Sequence, residues 1–430
     1  MEALGVGGKR EKKENAALNI LVLGLGFVGL TTALGLAEKG NIVYGFDSDT
    51  SRNDTLLAGT VPFLEPGLED ALNRNLNETF FIQYDLAEVA RKSDVIFICV
   101  GTPAGVDGET NLDYVYSALD SIIPVLAGDK FRVVVIKSTV PPSTTRDKII
   151  PYLSEKGAIA AVVNNPEFLR EGNCWNDFLY PDRIVCGASQ EEAIQAMRNL
   201  YSSFNAPFYA VSLNTGEFIK YLSNTFLATL ISYSNEMSII AGTIGDIAVR
   251  DAFRILHKDK RWVDCSMQSY VYPGCGFGGY CLPKDLESMI FQAKKHHYKP
   301  QILQSVMDIN ISMPDSAVKK IINTSSPQQA IGILGLSFKP ESDDVRDTPA
   351  AKIIHLLREH GYTNLKAYDP VANDAFASCY AFDHIEYCSS LDELCNKSDT
   401  IALVTAWPQF AAINRKFPDK QWIDCRYYLE

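Results

Sequence analysis

Two pairs of residues in this chain share the spacing that places side chains on one face of a helix. Lys220 and Asn224 are four apart in TGEFIKYLSNTF, and Cys281 and Asp285 are four apart in GCGFGGYCLPKD. Alone, a lysine at this distance from an asparagine is an ordinary solvated pair. Cys281 is less ordinary. A glycine-rich loop meets a helix start there, Pro283 falls in the first turn, and Lys284 adds positive charge. A helix N-terminus favours thiolate, so Cys281 is expected to be the most nucleophilic of the ten cysteines. Cys275 lies among the glycines without a helix start and reads as structural. Glu167 and Glu171 flank Arg170 in NNPEFLREG. Thr139, in KSTVPP, sits at the C-terminal end of a buried strand, where open α/β sheets bind ligands. Each group has a plain reading as turn chemistry or a salt bridge. Together they supply a nucleophile, a cation, an amide donor and carboxylates.

Parallel sheets are the natural scaffold for such a set. NILVLG, NIVYGFD, SDVIFICVGTP and FRVVVIKSTVPP are apolar runs separated by helical stretches, one of them Leu112 to Leu126. That is the pattern of a parallel sheet covered on both faces. AAVVNNPEFL and RIVCGAS read as further strands. From Thr215 to Ile244 apolar residues recur at helical spacing, and more helix follows to about His257. Beyond the glycine-rich loop one more helix runs toward Met313. The last hundred residues start again with AIGILGL, NLKAYDP and SDTIALVTAW, in the order of the first segment. The expected fold is α/β, two Rossmann-like doubly wound sheets joined by a central helical segment. The expected division is a flexible tail at 1–17, a dinucleotide-binding domain at 18–213, a helical domain at 214–325 and a second Rossmann-like domain at 326–430.

Gly24-Leu25-Gly26-Phe27-Val28-Gly29 fits GxGxxG between a strand and a helix, and Asp47 ends the next strand. That context is the dinucleotide fingerprint. The glycines let backbone N–H groups approach a pyrophosphate at the helix N-terminus. Asp47 would accept bonds from the ribose hydroxyls and repel a 2′-phosphate, which favours NAD over NADP; Arg52, close by, works against that preference. The plain alternative is a structural glycine turn. The second copy, Gly332 to Gly335, lacks the full fingerprint. It holds a different nucleotide, closes over the first, or is purely structural.

Composition narrows the class. The chain has 430 residues, enough for two or three domains, and 47% are apolar. A net charge of −12 argues against a nucleic-acid partner but not against an anionic small substrate met by a local basic cluster. No apolar run approaches a membrane span, and the polar N-terminus has no apolar core of a secretory signal, so a cytoplasmic protein with reduced thiols is expected. The cysteines have no zinc spacing, and no metal is expected.

Over nearly the whole chain after the tail, the ordered motifs GLGFVG, STVPP, NPEFLREG, EFIKYLSN, GFGGYCLPKD, GLSFKPESDDVRDTP and YDP resemble the UDP-glucose/GDP-mannose dehydrogenase family. GFGGYCLPKD is most similar to the UDP-glucose branch. One departure is Gly101 in CVGTP, where relatives often have Asn. The resemblance implies oxidation of a primary alcohol to an acid by two molecules of NAD, with Cys281 trapping the aldehyde as a thiohemiacetal and then carrying a thioester. It gives Lys220 and Asn224 the developing oxyanion, Asp285 and Thr139 the water, and Glu167 the role of base. It places Phe27, Val28, Thr102, Thr139, Glu171, Lys284 and Arg346 near the cofactor with the glycines, Asp47 and Arg52. It places Phe168, Leu169, Arg170, Tyr270, Gly276, Phe277 and Gly278 on the substrate with Glu167, Lys220 and Asn224, and Lys339 near the UDP moiety. Arg261 would reach the substrate diphosphate from a neighbouring subunit, and homo-oligomers, dimers or larger, would form on the central helices.

Other readings compete. GDP-mannose or a UDP-N-acetylhexosamine could replace UDP-glucose. A two-electron hydroxyacid dehydrogenase would share the architecture but needs no cysteine trap. A nucleotide-sensing protein would not need Lys220, Asn224, Cys281 and Asp285 together.

Overall fold

The computed structural model describes residues 17–127, 130–259 and 269–429. Two sheets carry it. The first contains β1 (Asn19–Leu23), β2 (Ile42–Phe46), β3 (Phe80–Ile82), β4 (Val95–Ile98), β5 (Val133–Ile136), β6 (Ala161–Asn164), β7 (Ile184–Gly187) and β8 (Phe208–Val211), in the order β3-β2-β1-β4-β5-β6-β7-β8. β4, β5, β6 and β7 are buried at every position, as strands covered on both faces must be. The parallel sheet expected from the sequence is present, with one exception. β6 and β7 pair antiparallel, through Asn164 and Gly187. A run of apolar residues is silent about strand direction.

The second sheet contains β9 (Ile331–Leu334), β10 (Leu365–Tyr368), β11 (Ile385–Tyr387), β12 (Thr400–Leu403) and β13 (Gln421–Asp424). Its order, β11-β10-β9-β12-β13, is the order of the first five strands of the first sheet. The echo reaches single atoms. Gly24 N–H donates to the Phe46 carbonyl at 2.9 Å, and Gly335 N–H to the Tyr368 carbonyl at 2.8 Å. Leu25 N–H donates to Asp47 at 2.7 Å, and Leu336 N–H to Asp369 at 2.8 Å.

A single helix of 32 residues, Leu213–Ile244, joins the sheets. The Ser212 side chain caps its start by accepting from Thr215 N–H. After the glycine-rich loop come two helices where the sequence suggests one, Cys281–Lys295 and Gln301–Ile322. His297, in a left-handed conformation, and Pro300 separate them. Both pack on the long helix, through a small core that includes Ala228, Phe277, Leu286 and Val306. Among the described residues no helix is long and apolar enough to cross a membrane.

Candidate active site

The turn after β1 shows why its glycines are glycines. Gly24 takes a positive φ of 89°. A Cβ on Gly29 would lie 1.7 Å from the Gly24 carbonyl oxygen, so only glycine lets the helix sit this close to the strand. Gly26 differs, since a Cβ there would meet nothing within 4 Å. Gly26 thus faces open space at the start of helix Phe27–Glu38. That helix has no side-chain cap and no acidic residue in its first turn. Unpaired N–H groups at an uncapped, accessible helix start suit a pyrophosphate. Asp47 is buried, and its Oδ2 accepts from Leu25 N–H and, at 2.9 Å, from Arg52.

The second sheet is built differently at the same place. Asp369 Oδ2 accepts from the N–H groups of Leu336 and Ser337, the Ser337 hydroxyl and, at 3.1 Å, the Trp407 indole. Its next helix starts only at Pro349, capped by the Thr348 side chain. The groups that could read a second dinucleotide bond to each other instead.

The long helix turns Lys220 and Asn224 inward, so the reading as a solvated pair fails. They are 4% and 7% exposed. Lys220 Nζ pairs with Glu167 Oε1 at 2.9 Å, and Glu167 Oε2 accepts from Leu169 N–H at 2.7 Å. Asn224 Nδ2 donates to Asp285 Oδ2 at 2.6 Å, and Lys284 pairs with the other oxygen of Asp285. These bonds tie the Lys220 helix to the strand-end loop of Glu167 on one side and to the Cys281 helix on the other. Burial would raise the Glu167 carboxyl, but Lys220 and the Leu169 N–H outweigh it and hold Glu167 below its ordinary range. Burial would likewise lower Lys220, but Glu167, Cys281 and Asp285 hold it above its usual value. The resting pair is a buried ammonium and carboxylate.

Helix Cys281–Lys295 begins at Cys281. The expectation of a thiolate-like sulfur is nonetheless overturned in this resting state. Burial, reinforced by the Glu167 and Asp285 carboxylates, pushes the thiol up to about 12 against the pull of Lys220 and Lys284. The helix start is one local influence, and tertiary burial outweighs it.

Around this centre loops of both sheets meet. Lys339 donates to the Glu171 carbonyl, and Arg346 pairs with Asp344 at 2.5 Å and lies 3.6 Å from Glu171. Burial and then Asp344 push the Glu171 carboxyl up to about 7. Thr102 donates to the Thr139 carbonyl at 2.8 Å. Phe168 stacks under Arg183, 4.1 Å away, and lies 5.9 Å from the Lys220 ammonium. Arg170 is engaged by Asp177 at 2.6 Å. Tyr270, raised by burial, feels the charges of Arg170 and Lys220. Gly278 packs on the Asp347 carbonyl, where a Cβ would come within 2.3 Å. Arg261 lies outside the described residues.

Three further residues matter that sequence reasoning passed over. The Tyr280 ring sits between the guanidinium of Arg346 at 4.6 Å and the ammonium of Lys284 at 5.2 Å. Its hydroxyl lies 3.6 Å from where a Gly101 Cβ would stand, an ordinary contact distance, so Tyr280 neighbours the glycine in CVGTP. Glu65 accepts from Gly172 N–H at 2.9 Å and anchors the loop that carries Glu171. Asn310 accepts from Phe277 N–H at 2.7 Å and donates to the Phe277 carbonyl at 3.0 Å, both buried. It also packs against Gly276. Adjacency to Cys281 was the one sequence signal for Tyr280; the other two had none. Replacing Asn310 with leucine strands two buried backbone groups, and is expected to cost about 2–5 kcal/mol in urea unfolding. An unchanged midpoint would mean that Asn310 does not hold this loop.

Known proteins match this arrangement along its length. The three models of the UDP-glucose/GDP-mannose dehydrogenase family match in order: the NAD binding domain over residues 18–205, the central domain over 214–312 and the UDP binding domain over 332–430. The chain belongs to this family. It is an NAD-dependent dehydrogenase of nucleotide sugars. A relative named UDP-glucose 6-dehydrogenase from Rickettsia bellii is 35% identical over 404 residues, 92% of this chain and 91% of its own. The structure of a UDP-glucose dehydrogenase from Pyrobaculum islandicum superposes with a TM-score of 0.89 at 33% identity, covering 97% of this chain and 96% of that one. A UDP-D-ManNAc dehydrogenase from Pyrococcus horikoshii gives 0.82 at 26% identity, covering 96% of each chain.

Proposed function

We propose that this enzyme oxidises the C6 primary alcohol of UDP-glucose to the carboxylate, in two NAD-dependent steps that pass through a thiohemiacetal and a thioester on Cys281. The observation that carries the reading is the buried set of Lys220, Asn224 and Asp285 around a cysteine at a helix start. UDP-glucose is preferred because the relative 35% identical and the structure 33% identical are named for it, whereas the UDP-D-ManNAc dehydrogenase stands at 26%.

The uncapped helix start beside Gly26, with Asp47, would hold NAD, which when bound would supply the hydride acceptor for each oxidation. The protein does the rest. Lys220 and Asn224 stabilise the oxygen that gains negative charge when the alcohol, and later the thiohemiacetal, is oxidised. The Cys281 sulfur bonds the aldehyde carbon and gives up its proton, so the aldehyde stays bound. Glu167 is a weak base while paired to Lys220. As the ammonium turns to the substrate oxyanion, the lost attraction lets burial raise Glu167, which then takes a proton from the water that cleaves the thioester. Asp285 and Thr139 position that water. Glu171, Arg346 and Lys284 line the cofactor side, and Lys339 the UDP side.

Residues 18–213 hold the cofactor on this reading, 214–325 the catalytic helices and 326–430 the UDP moiety. Phe218, Leu222, Phe226, Tyr233, Met237, Ile240 and Ile244 leave an exposed apolar stripe along the long helix, which suits a second copy of the chain.

The test is NADH yield with UDP-glucose, GDP-mannose and a UDP-N-acetylhexosamine. Two NADH per UDP-glucose, without free aldehyde, is expected. One NADH with released aldehyde would overturn the cysteine route, and faster turnover of another sugar nucleotide would overturn the substrate.

A further inference from the structure

Glu217 lies one helical turn before Lys220, and the chemistry above makes no use of it. It is 3% exposed. One carboxyl oxygen, Oε1, accepts from Thr145 N–H at 2.8 Å. The other, Oε2, is buried and has no hydrogen-bond partner. A bare carboxylate oxygen inside a protein is costly, so the atom calls for a proton or a water. A cavity of about 10 Å³ offers the second. It is lined by Glu217 together with Thr139, Lys220, Ser138 and Asn164, and is about the size of one water.

The charged surroundings favour proton exchange. Lys220, from the same helix, lines the same cavity as Glu217, and Arg146 and Asp147 act on it from the segment Thr145–Ile149. Asn164 approaches from β6 without charge. Burial pushes the Glu217 carboxyl up to about 7, against the pull of Thr145. Asp147, whose charge acts on Glu217, is itself half-exposed to solvent.

The reaction itself creates the need. Converting a primary alcohol and one water into a carboxylate, with two hydrides removed, releases three protons per sugar. Lys220 is held charged and cannot accept one, and the Cys281 thiol adds its own proton when it attacks.

We propose that Glu217 is a positioning residue that stores a proton for this reaction, exchanging it through one water in the cavity beside Thr139 and Lys220. An O–H bond forms at Oε2 as an O–H bond of the cavity water breaks. That water regains a proton from the substrate side, and no electrons change hands. Glu217 later returns the proton to solvent past Asp147. The proposal rests on the dehydrogenase reading above.

Glu217→Gln tests it, because the amide still accepts from Thr145 N–H but cannot ionise. The wild-type plot of kcat against pH is expected to break near pH 7. The variant should lose that break and about tenfold in kcat, with KM values unchanged. Glu217→Asp, still titratable, should keep it. Infrared titration of protein with ¹³C-labelled glutamate, without substrate, should show a carboxyl titrating near pH 7 that is missing from the Gln variant. A variant profile that superimposes on the wild type, or no such carboxyl, overturns the proposal. Failure to make NADH from any nucleotide sugar would instead sink the substrate reading, while the infrared titration still decides whether Glu217 holds the proton.

Discussion

Cys281→Ser is expected to lower kcat by about a thousandfold or more while NAD and the sugar nucleotide still bind. Serine can attack an aldehyde, but its hydroxyl is the poorer nucleophile, and the resulting ester resists water more than a thioester does. The variant should stall before the second oxidation or accumulate an ester, which intact mass after mixing with substrate would detect. Cys275→Ser should retain most activity. Cys275 is buried in the second core, where its thiol donates to the Cys425 carbonyl at 3.9 Å. Resting reactivity should not follow the catalytic role. The Cys281 thiol, pushed up to about 12, should alkylate slowly at neutral pH and faster as pH rises. Exposed Cys379 should react before the other described cysteines. Near-normal turnover by Cys281→Ser would remove it as the nucleophile.

The distinction between role and resting state marks where sequence reading runs out. The strands that were legible, β1, β2, β4 to β7, β9, β10 and β12, lie inside the sheets and read as apolar runs. The four that were not, β3, β8, β11 and β13, are the sheet edges. β3 and β11 have only three residues, and β8, β11 and β13 are only partly buried, so they carry little pattern. The site divides the same way. Lys220 with Asn224, and Cys281 with Asp285, were legible because helical spacing is local. Asn310 acts on a backbone 33 residues before it, and Glu65 on a loop 107 residues after it, so packing alone reveals them. The protonated state of Cys281 has the same origin. A helix start can be read from ten residues, but the protein wrapped around the sulfur cannot.

Lys220→Met is expected to remove both catalysis and a structural charge, and the two losses can be separated. Without the ammonium the developing oxyanion keeps only Asn224, so kcat should fall about 10²- to 10³-fold. The second loss concerns Glu167. In the wild type its folded pKa is depressed, so its contribution to stability is present above the unfolded value of about 4.3 and is lost as pH falls through the folded value. Once Lys220 is gone, burial, the largest influence on Glu167, drives the folded pKa above the unfolded one. The sign then reverses, and stability is lost as pH rises from about 4.3 through the raised value. The gap between variant and wild type should therefore widen from pH 4 to pH 7, reaching about 3–5 kcal/mol for a buried charge left unpaired. Adding Glu167→Gln removes that charge and should recover most of the stability, but none of the activity. Urea unfolding at both pH values, beside NADH turnover, reads the two effects independently. If the single variant is as stable as wild type at pH 7, the buried ion pair is not what holds the Glu167 loop to the long helix. If it keeps more than about a tenth of kcat, Lys220 does not carry the oxyanion.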